Sequence, residues 1–358
     1  MVKERNLTRR IRLFHHPPLK ICNFKFQINQ FPMNTTTLTP QRIKQFQKKI
    51  LDWYSQNKRD LPWRKTRDPY KILVSEIMLQ QTQVSRVLPK YELWLQTFPT
   101  IQSLVKASIP EVLHIWSGLG YNRRALYLKK AAEEIIRVPR VSQGMFPLTI
   151  GELRKLPGVG EYTARAVACF AFGQQVAVVD TNVRKVILLT FFLRHPGKRS
   201  VSRISRTDSG QARMTMKKMQ RIADQLLPYG QAAEWNQALM DYASATLKKQ
   251  KIPIPKQSKF IGSNRYYRGK IIKLLLQKKK IPITELEKLF EKDSLFIKKI
   301  IDSLVKDKMV LVKKEIAMLC RNDNCDGICL FFVLYCNATW PRKEKIINHH
   351  ISISTCLN

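Results

Sequence analysis

Apolar residues at Ile43, Phe46, Ile50, Leu51 and Tyr54 recur three and four positions apart, the spacing of one helix face. The polar, proline-containing stretch NKRDLPWRKTRDPY ends that pattern. Helical spacing then returns over 71–84, 87–97, 101–106, 110–117, 123–138, 150–155 and 162–172. It resumes at 219–227 and 232–246, beyond a basic, turn-rich loop at 194–218. No segment of this region alternates for long, so it reads as all-α. From 248 to 280 there are twelve Lys or Arg and no acid, a linker with phosphate-facing character. Three short helical patterns and a strand-like MVLVKK follow, the order of a winged-helix module with Ser294 to Lys306 in the recognition-helix position.

These patterns predict a disordered basic extension at 1–37, a discontinuous helical domain at 38–67 and 173–247, and a six-helix domain at 68–172. A basic linker at 248–268, a winged-helix-like module at 269–316 and a disordered tail at 317–358 complete the organisation.

Charge narrows the partner. The balance of 64 Lys and Arg against 26 Asp and Glu leaves +38, beyond what solubility needs, so a polyanion is expected and nucleic acid comes first. A solvated cationic surface or a ribosome-associated protein also fits that number. No apolar run approaches the roughly 18 residues of a membrane span, so no membrane partner is expected. Residues 1–32 lack a continuous apolar stretch, which argues against a secretory signal. Their arginines and single acid, Glu4, leave organellar targeting open beside the expected cytoplasmic, nucleoid-associated location. Seven scattered cysteines point to a reducing interior.

The stretch LPGVGEYTARAVACFAFGQQVAVVDTNVRKV sets Gly158 and Gly160 ahead of Asp180. A dinucleotide fingerprint would need a third glycine at Thr163 and a strand before the first. Instead, Thr149 and Glu152 form a capping box, so the glycines join two helices. Such a hairpin, spanning Leu156, Gly158, Val159 and Gly160, points backbone N–H groups and a helix N-terminus at a nucleic-acid phosphate.

With SEIMLQQTQV at 75–84, GLGYNRRA at 118–125 and VVDTNV at 178–183, the chain resembles the helix-hairpin-helix DNA glycosylase superfamily, and within it the MutY-like adenine DNA glycosylases. The resemblance runs from about Leu61 to Ala245. It implies a two-domain helical fold around a DNA cleft, a monomer, and double-stranded DNA with mispaired or oxidised bases as partner. The implied reaction is hydrolysis of the N-glycosidic bond of adenine opposite 8-oxoguanine or guanine.

The residue chemistry runs parallel to that implication. Base loss needs an acid for the leaving base and an anion for an oxocarbenium-like sugar. Glu76, among Ile77, Met78 and Leu79, is expected to hold a proton through burial, to act as general acid and then to activate water. An ordinary helix-surface glutamate is the bland alternative. Asp180 reads as a helix cap whose ionised form would stabilise the sugar cation. The resemblance places Asn182 near the reacting sugar, although Thr181 stands where the family usually has glycine. Tyr162 occupies the position at which bifunctional relatives carry a lysine nucleophile, which implies base removal without strand cleavage.

Gln80 and Gln81 match the family's paired glutamines, with Gln81 as the wedge entering the space of a flipped base. Tyr121 matches a tyrosine that inserts at the opposite base, and Asn122 replaces the second tyrosine that commonly follows. Most relatives bind an iron–sulfur cluster through four cysteines. Here Leu247 stands at the first ligand position and no cysteine lies between Cys169 and Cys320, so no cofactor or metal is expected. Cys320, Cys325, Cys329 and Cys336 are spaced differently, with a separate zinc site as an alternative. Lys259, Arg265 and Arg268, interleaved with Phe260, Tyr266 and Tyr267, are expected to replace the cluster loop as a DNA contact. The family's Nudix-like domain has no counterpart in the smaller module, which leaves recognition of the opposite base open. A mismatch-specific thymine or uracil glycosylase of the same fold and a non-catalytic DNA-binding protein remain the alternatives.

Overall fold

Thr39 begins the first helix by accepting the Arg42 N–H at 3.4 Å, and Pro40 follows it with a backbone angle already suited to a first turn. The computed structural model describes residues 38–137, 146–192, 216–248 and 259–320. Helix α1 (Pro40–Asn57) buries Phe46, Ile50 and Tyr54, the face read from the periodicity. That face packs against α9 (Thr181–Ile187), α10 (Met216–Gln225) and α11 (Ala232–Thr246) in a core around Trp235.

A second core lies in α2 (Pro69–Leu79), α3 (Val84–Thr97), α4 (Ile101–Lys106), α5 (Ile109–Trp116) and α6 (Arg123–Arg137), with a single turn α7 (Ile150–Leu153) and α8 (Glu161–Phe170). Trp94 and Trp116 meet edge to face with centroids 5.6 Å apart at its centre. Seven helical segments therefore stand among the described residues, one for each of the seven helical patterns read between 71 and 172, where the domain was expected to hold six. Helix α2 is buried nearly all round, because its residues from Ile72 to Met78 are covered on every face. It stops at Leu79 instead of reaching Val84, since Gln81 takes a left-handed φ of +55°. Ala166 and Cys169 of α8 pack with Val178 and Ala232 to join the two cores.

The C-terminal module holds α12 (Asn264–Lys278), β1 (Lys280–Pro282), α13 (Ile283–Phe290), α14 (Ser294–Lys306), β2 (Val310–Lys313) and β3 (Ile316–Leu319). Its antiparallel sheet has the order β1-β3-β2, with Ala317 opposite both Ile281 and Val312. Three strands form where one was read: β1 is only three residues long, and β3 follows β2 after a two-residue turn. Ser263 caps α12, so the helix starts inside the expected linker, and β3 carries the module past residue 316. The molecule is mainly helical, and this sheet is its β structure among the described residues. Expectations for 1–37, 194–215, 249–258 and the tail beyond Cys320 fall outside those residues. No helix among them is long and apolar enough to cross a membrane.

Candidate active site

Glu76 sits in the middle of buried α2 and is only 5% exposed. Burial raises its carboxyl to about 7, and the Asp180 charge pushes the same way, while a hydrogen bond from Tyr162 and the Arg64 charge oppose the rise. Its Oε2 is buried and has no hydrogen-bond partner among the described residues. Glu76, Ser75 and Leu79 border a cavity of about 70 Å³ with Arg64, Tyr162 and Gln237. A buried carboxyl raised toward neutrality, with one oxygen free of partners among the described residues, can donate a proton to a group entering that cavity.

Arg64 is held in place by Asp241, a residue that sequence reading missed. Its two terminal nitrogens donate to the Asp241 carboxylate at 2.7 and 2.8 Å, and the Arg59 Nε adds a third bond at 2.6 Å. Burial acts to raise the Asp241 carboxyl, but the hydrogen bonds from Arg64 and Arg59 outweigh it and hold the group below its ordinary value. The one sequence signal was an acid inside the apolar face of a helix.

Asp180 caps α9 as expected: Oδ1 accepts the Val183 N–H at 2.6 Å and Oδ2 accepts Asn182 Nδ2 at 2.9 Å. The cap's hydrogen bonds favour the anion, as expected, and burial acts against them. Burial raises the carboxyl above its usual value, and the bonds from Val183 and Asn182 offset only part of that. Asn182 thus touches Asp180 itself. The segment leading to Asp180 is pinned by buried Asn236, which accepts the Val178 N–H at 2.8 Å and donates to the Val176 carbonyl at 3.0 Å. Asn236 was not singled out in the sequence, because a polar residue in a helix pattern carries no sign of its partner.

The hairpin forms as predicted, with Thr149 and Glu152 reciprocally capping α7. Gly158 has φ +78°, and a Cβ there would lie 2.8 Å from the Tyr127 Cβ. Gly160 is the N-cap position of α8. The side chains of Leu156 and Val159 are buried in the core while Gly158 and Gly160 are exposed, so what the hairpin presents to solvent is backbone. Gln80 reaches back to Thr163 Oγ1 at 3.3 Å and ties the end of α2 to α8, whereas Gln81 is exposed in its left-handed turn.

Arg124, from the GLGYNRRA stretch, is the organising residue that the sequence did not reveal. It is buried, donates to the carbonyls of Ile77 and Met78 at 2.9 and 3.0 Å, and also to that of Gln80. Its second terminal nitrogen donates to Thr82 Oγ1 at 3.1 Å and the Gly120 carbonyl at 3.0 Å. A single guanidinium therefore satisfies the C-terminal carbonyls of the Glu76 helix and the loop carrying Tyr121.

Lys259 is exposed, and Arg265 stacks on the Tyr121 ring and donates to its hydroxyl. Arg268 donates to Ser303 Oγ at 2.5 Å and pairs with Asp307 at 2.5 Å within the module. The described residues at the family's cluster position do not offer thiolate ligands. Leu247, at the first ligand position, is packed in the α1 core, and Cys169 is buried with its thiol pushed up to about 11. No metal-binding group of three or more His, Cys, Asp or Glu occurs among the described residues. Cys325, Cys329 and Cys336 lie outside them.

Residues 74–224 match the family model described as HhH-GPD superfamily base excision DNA repair protein. The adenine DNA glycosylase of Rattus norvegicus is 44% identical over 158 residues, which cover 40% of this chain and 29% of that protein. The protein of the same name from Mycobacterium tuberculosis is 50% identical over 139 residues, covering 38% and 45%. That from Homo sapiens is 36% identical over 218 residues, covering 58% and 37%. The chain thus spans less than half the length of each. A solved thermostable thymine-DNA glycosylase is 29% identical, with a TM-score of 0.49, and is matched over 59% of this chain and 90% of its own. The helical core at 74–224, with its glycine hairpin and its buried acid helix, belongs to the HhH-GPD superfamily of base excision DNA repair proteins.

Proposed function

We propose that the chain is a monofunctional, monomeric DNA glycosylase that removes adenine mispaired with 8-oxoguanine or guanine in double-stranded DNA. The observation that carries the reading is Glu76, buried beside a small cavity with a carboxyl near neutrality and an unengaged Oε2. Glu76 protonates a ring nitrogen of the departing adenine as the N-glycosidic electron pair leaves with the base. A purine offers such a basic nitrogen, whereas thymine offers none comparable. Asp180, as carboxylate, stabilises the oxocarbenium-like sugar. The ionised Glu76 then takes a proton from a water that adds to the anomeric carbon, which restores the acid.

Tyr162 supports the monofunctional part. It holds Glu76 by a hydrogen bond, and among the described residues no lysine lines this cavity to form an imine with the sugar. The resident machinery needs no cofactor in this scheme.

The test uses duplexes carrying A:8-oxoguanine, A:G and T:G pairs. Free adenine and a strand that breaks only after alkali are expected, with no covalent species trapped by borohydride. Preferential attack on T:G would move the assignment to thymine, and efficient trapping would refute the monofunctional mechanism.

A further inference from the structure

The C-terminal module runs α12, β1, α13, α14, β2, β3 around a sheet ordered β1-β3-β2, which is the arrangement of a winged helix. Its α14 turns Ile297, Ile300, Ile301 and Leu304 into the core. Leu295, Lys298, Lys299, Asp302 and Lys306 stand three or four positions apart on the opposite side, and all five are exposed. Between β2 and β3, Lys314 and Glu315 have φ of +48° and +59°, a tight hairpin turn whose central residues both take positive φ. That turn holds Lys313 and Lys314 at an exposed wing tip.

Between 259 and 320, sixteen Lys and Arg stand against seven Asp and Glu. The acids are largely committed elsewhere. Asp307 pairs with Arg123 at 2.7 Å and with Arg268, Glu285 pairs with Lys278, and Asp293 caps α14. Lys298, Lys299, Lys313 and Lys314 form no ion pair among the described residues. The Arg123–Asp307 pair and the bond from Arg265 to Tyr121 fix the module to the helical core. Lys306 borders the space beside the Gln80–Gln81 turn, so the exposed face of α14 begins at the edge of that core. It runs outward from there to Leu295, which is 81% exposed.

We propose that α14 and the β2–β3 wing are a second contact for duplex DNA, outside the helical core. The Leu295–Lys306 face lies in a major groove of the flanking duplex, and the wing tip meets its backbone. A protein partner would bury apolar area and avoid lysine, whereas Leu295 is the one apolar residue of this face. The major groove of B-form DNA admits a helix, and that of A-form RNA is too narrow for side chains to read. Asp302, midway along the face, meets base edges there, where a carboxylate accepts from a cytosine amine. At about 1.5 Å per residue the face is roughly 16 Å long, which is about half a turn of duplex. The contact is independent of which base the helical core removes.

The experiment is a hydroxyl-radical footprint of the full-length protein on a long duplex with a central A:8-oxoguanine pair. Protection should reach about half a turn further on one flank than on the other. Lys298→Ala with Lys299→Ala should remove that extension, Lys313→Ala with Lys314→Ala should shorten it, and protection around the mispair should remain. The log–log salt slope of duplex affinity should fall by about one unit per lysine removed. An extension that survives in both variants, or its absence from the unaltered protein, would overturn the proposal. So would double-stranded RNA that abolishes the extension as well as DNA of equal length does. Adenine release from the same duplex is scored separately, so its failure counts against the glycosylase reading and leaves the second contact to the footprint.

Discussion

Burial lifts the Glu76 carboxyl to about 7, so its chemistry and its contribution to stability both decline as pH rises. The protonated form is the donor, and excision measured in single turnover should fall as pH rises through about 7. Glu76→Gln should abolish excision at every pH. Tyr162→Phe removes the hydrogen bond that holds the carboxyl down, so the alkaline limb of the residual rate profile should move to higher pH. An unmoved limb would mean that Tyr162 does not act on this group. The folded-state value lies above the ordinary 4.5, so ionisation is disfavoured in the fold and stability is lost as pH rises from there through 7. Glu76→Gln escapes that loss. It should be more stable than the unaltered protein at pH 8 by up to about 3 kcal/mol, at about 1.4 kcal/mol per pH unit, and gain little at pH 4. Urea unfolding at the two pH values measures the difference.

Helix ends and turns set the site at the next scale. Gly158→Ala forces a side chain into positive φ and into the Tyr127 Cβ, and should cost about 1–3 kcal/mol. Gly160→Ala meets nothing within 4 Å at ordinary φ, and should cost less than about 1 kcal/mol in urea unfolding. Equal losses would show that the hairpin relaxes freely. Arg124→Met strips the carbonyls at the end of α2 and beside Tyr121 of their shared donor, with an expected cost of about 3 kcal/mol. Because those carbonyls join the Glu76 helix to the Tyr121 loop, the variant should also lose excision where folding is retained at low temperature.

Over the whole molecule, a charge of +38 and an exposed glycine hairpin predict binding dominated by phosphate contacts. Duplex affinity should fall with salt with a log–log slope of several units, and a slope near zero would remove the electrostatic account. Leu247 in an apolar core at the first ligand position predicts a colourless preparation that keeps its activity in chelator. A brown protein absorbing near 400 nm would show that cysteines elsewhere in the chain build a cluster.

What the sequence determined by itself is local. Helical spacing, the Thr149–Glu152 capping box, the Asp180 cap and the glycine hairpin involve residues a few positions apart, so each can be read along the chain. The position of Glu76 in an apolar run was likewise enough to anticipate a raised carboxyl. Tertiary structure decided the partners. Arg64 meets Asp241 across 177 positions and Asn236 meets Val178 across 58, and neither pairing leaves a periodic trace in the sequence. Burial of the Leu156 and Val159 side chains and the desolvation acting on Asp180 were set by distant packing in the same way. A cap is a local hydrogen bond, but the desolvation set against it is summed over every element that packs around the group, and that sum exists only once the chain has folded.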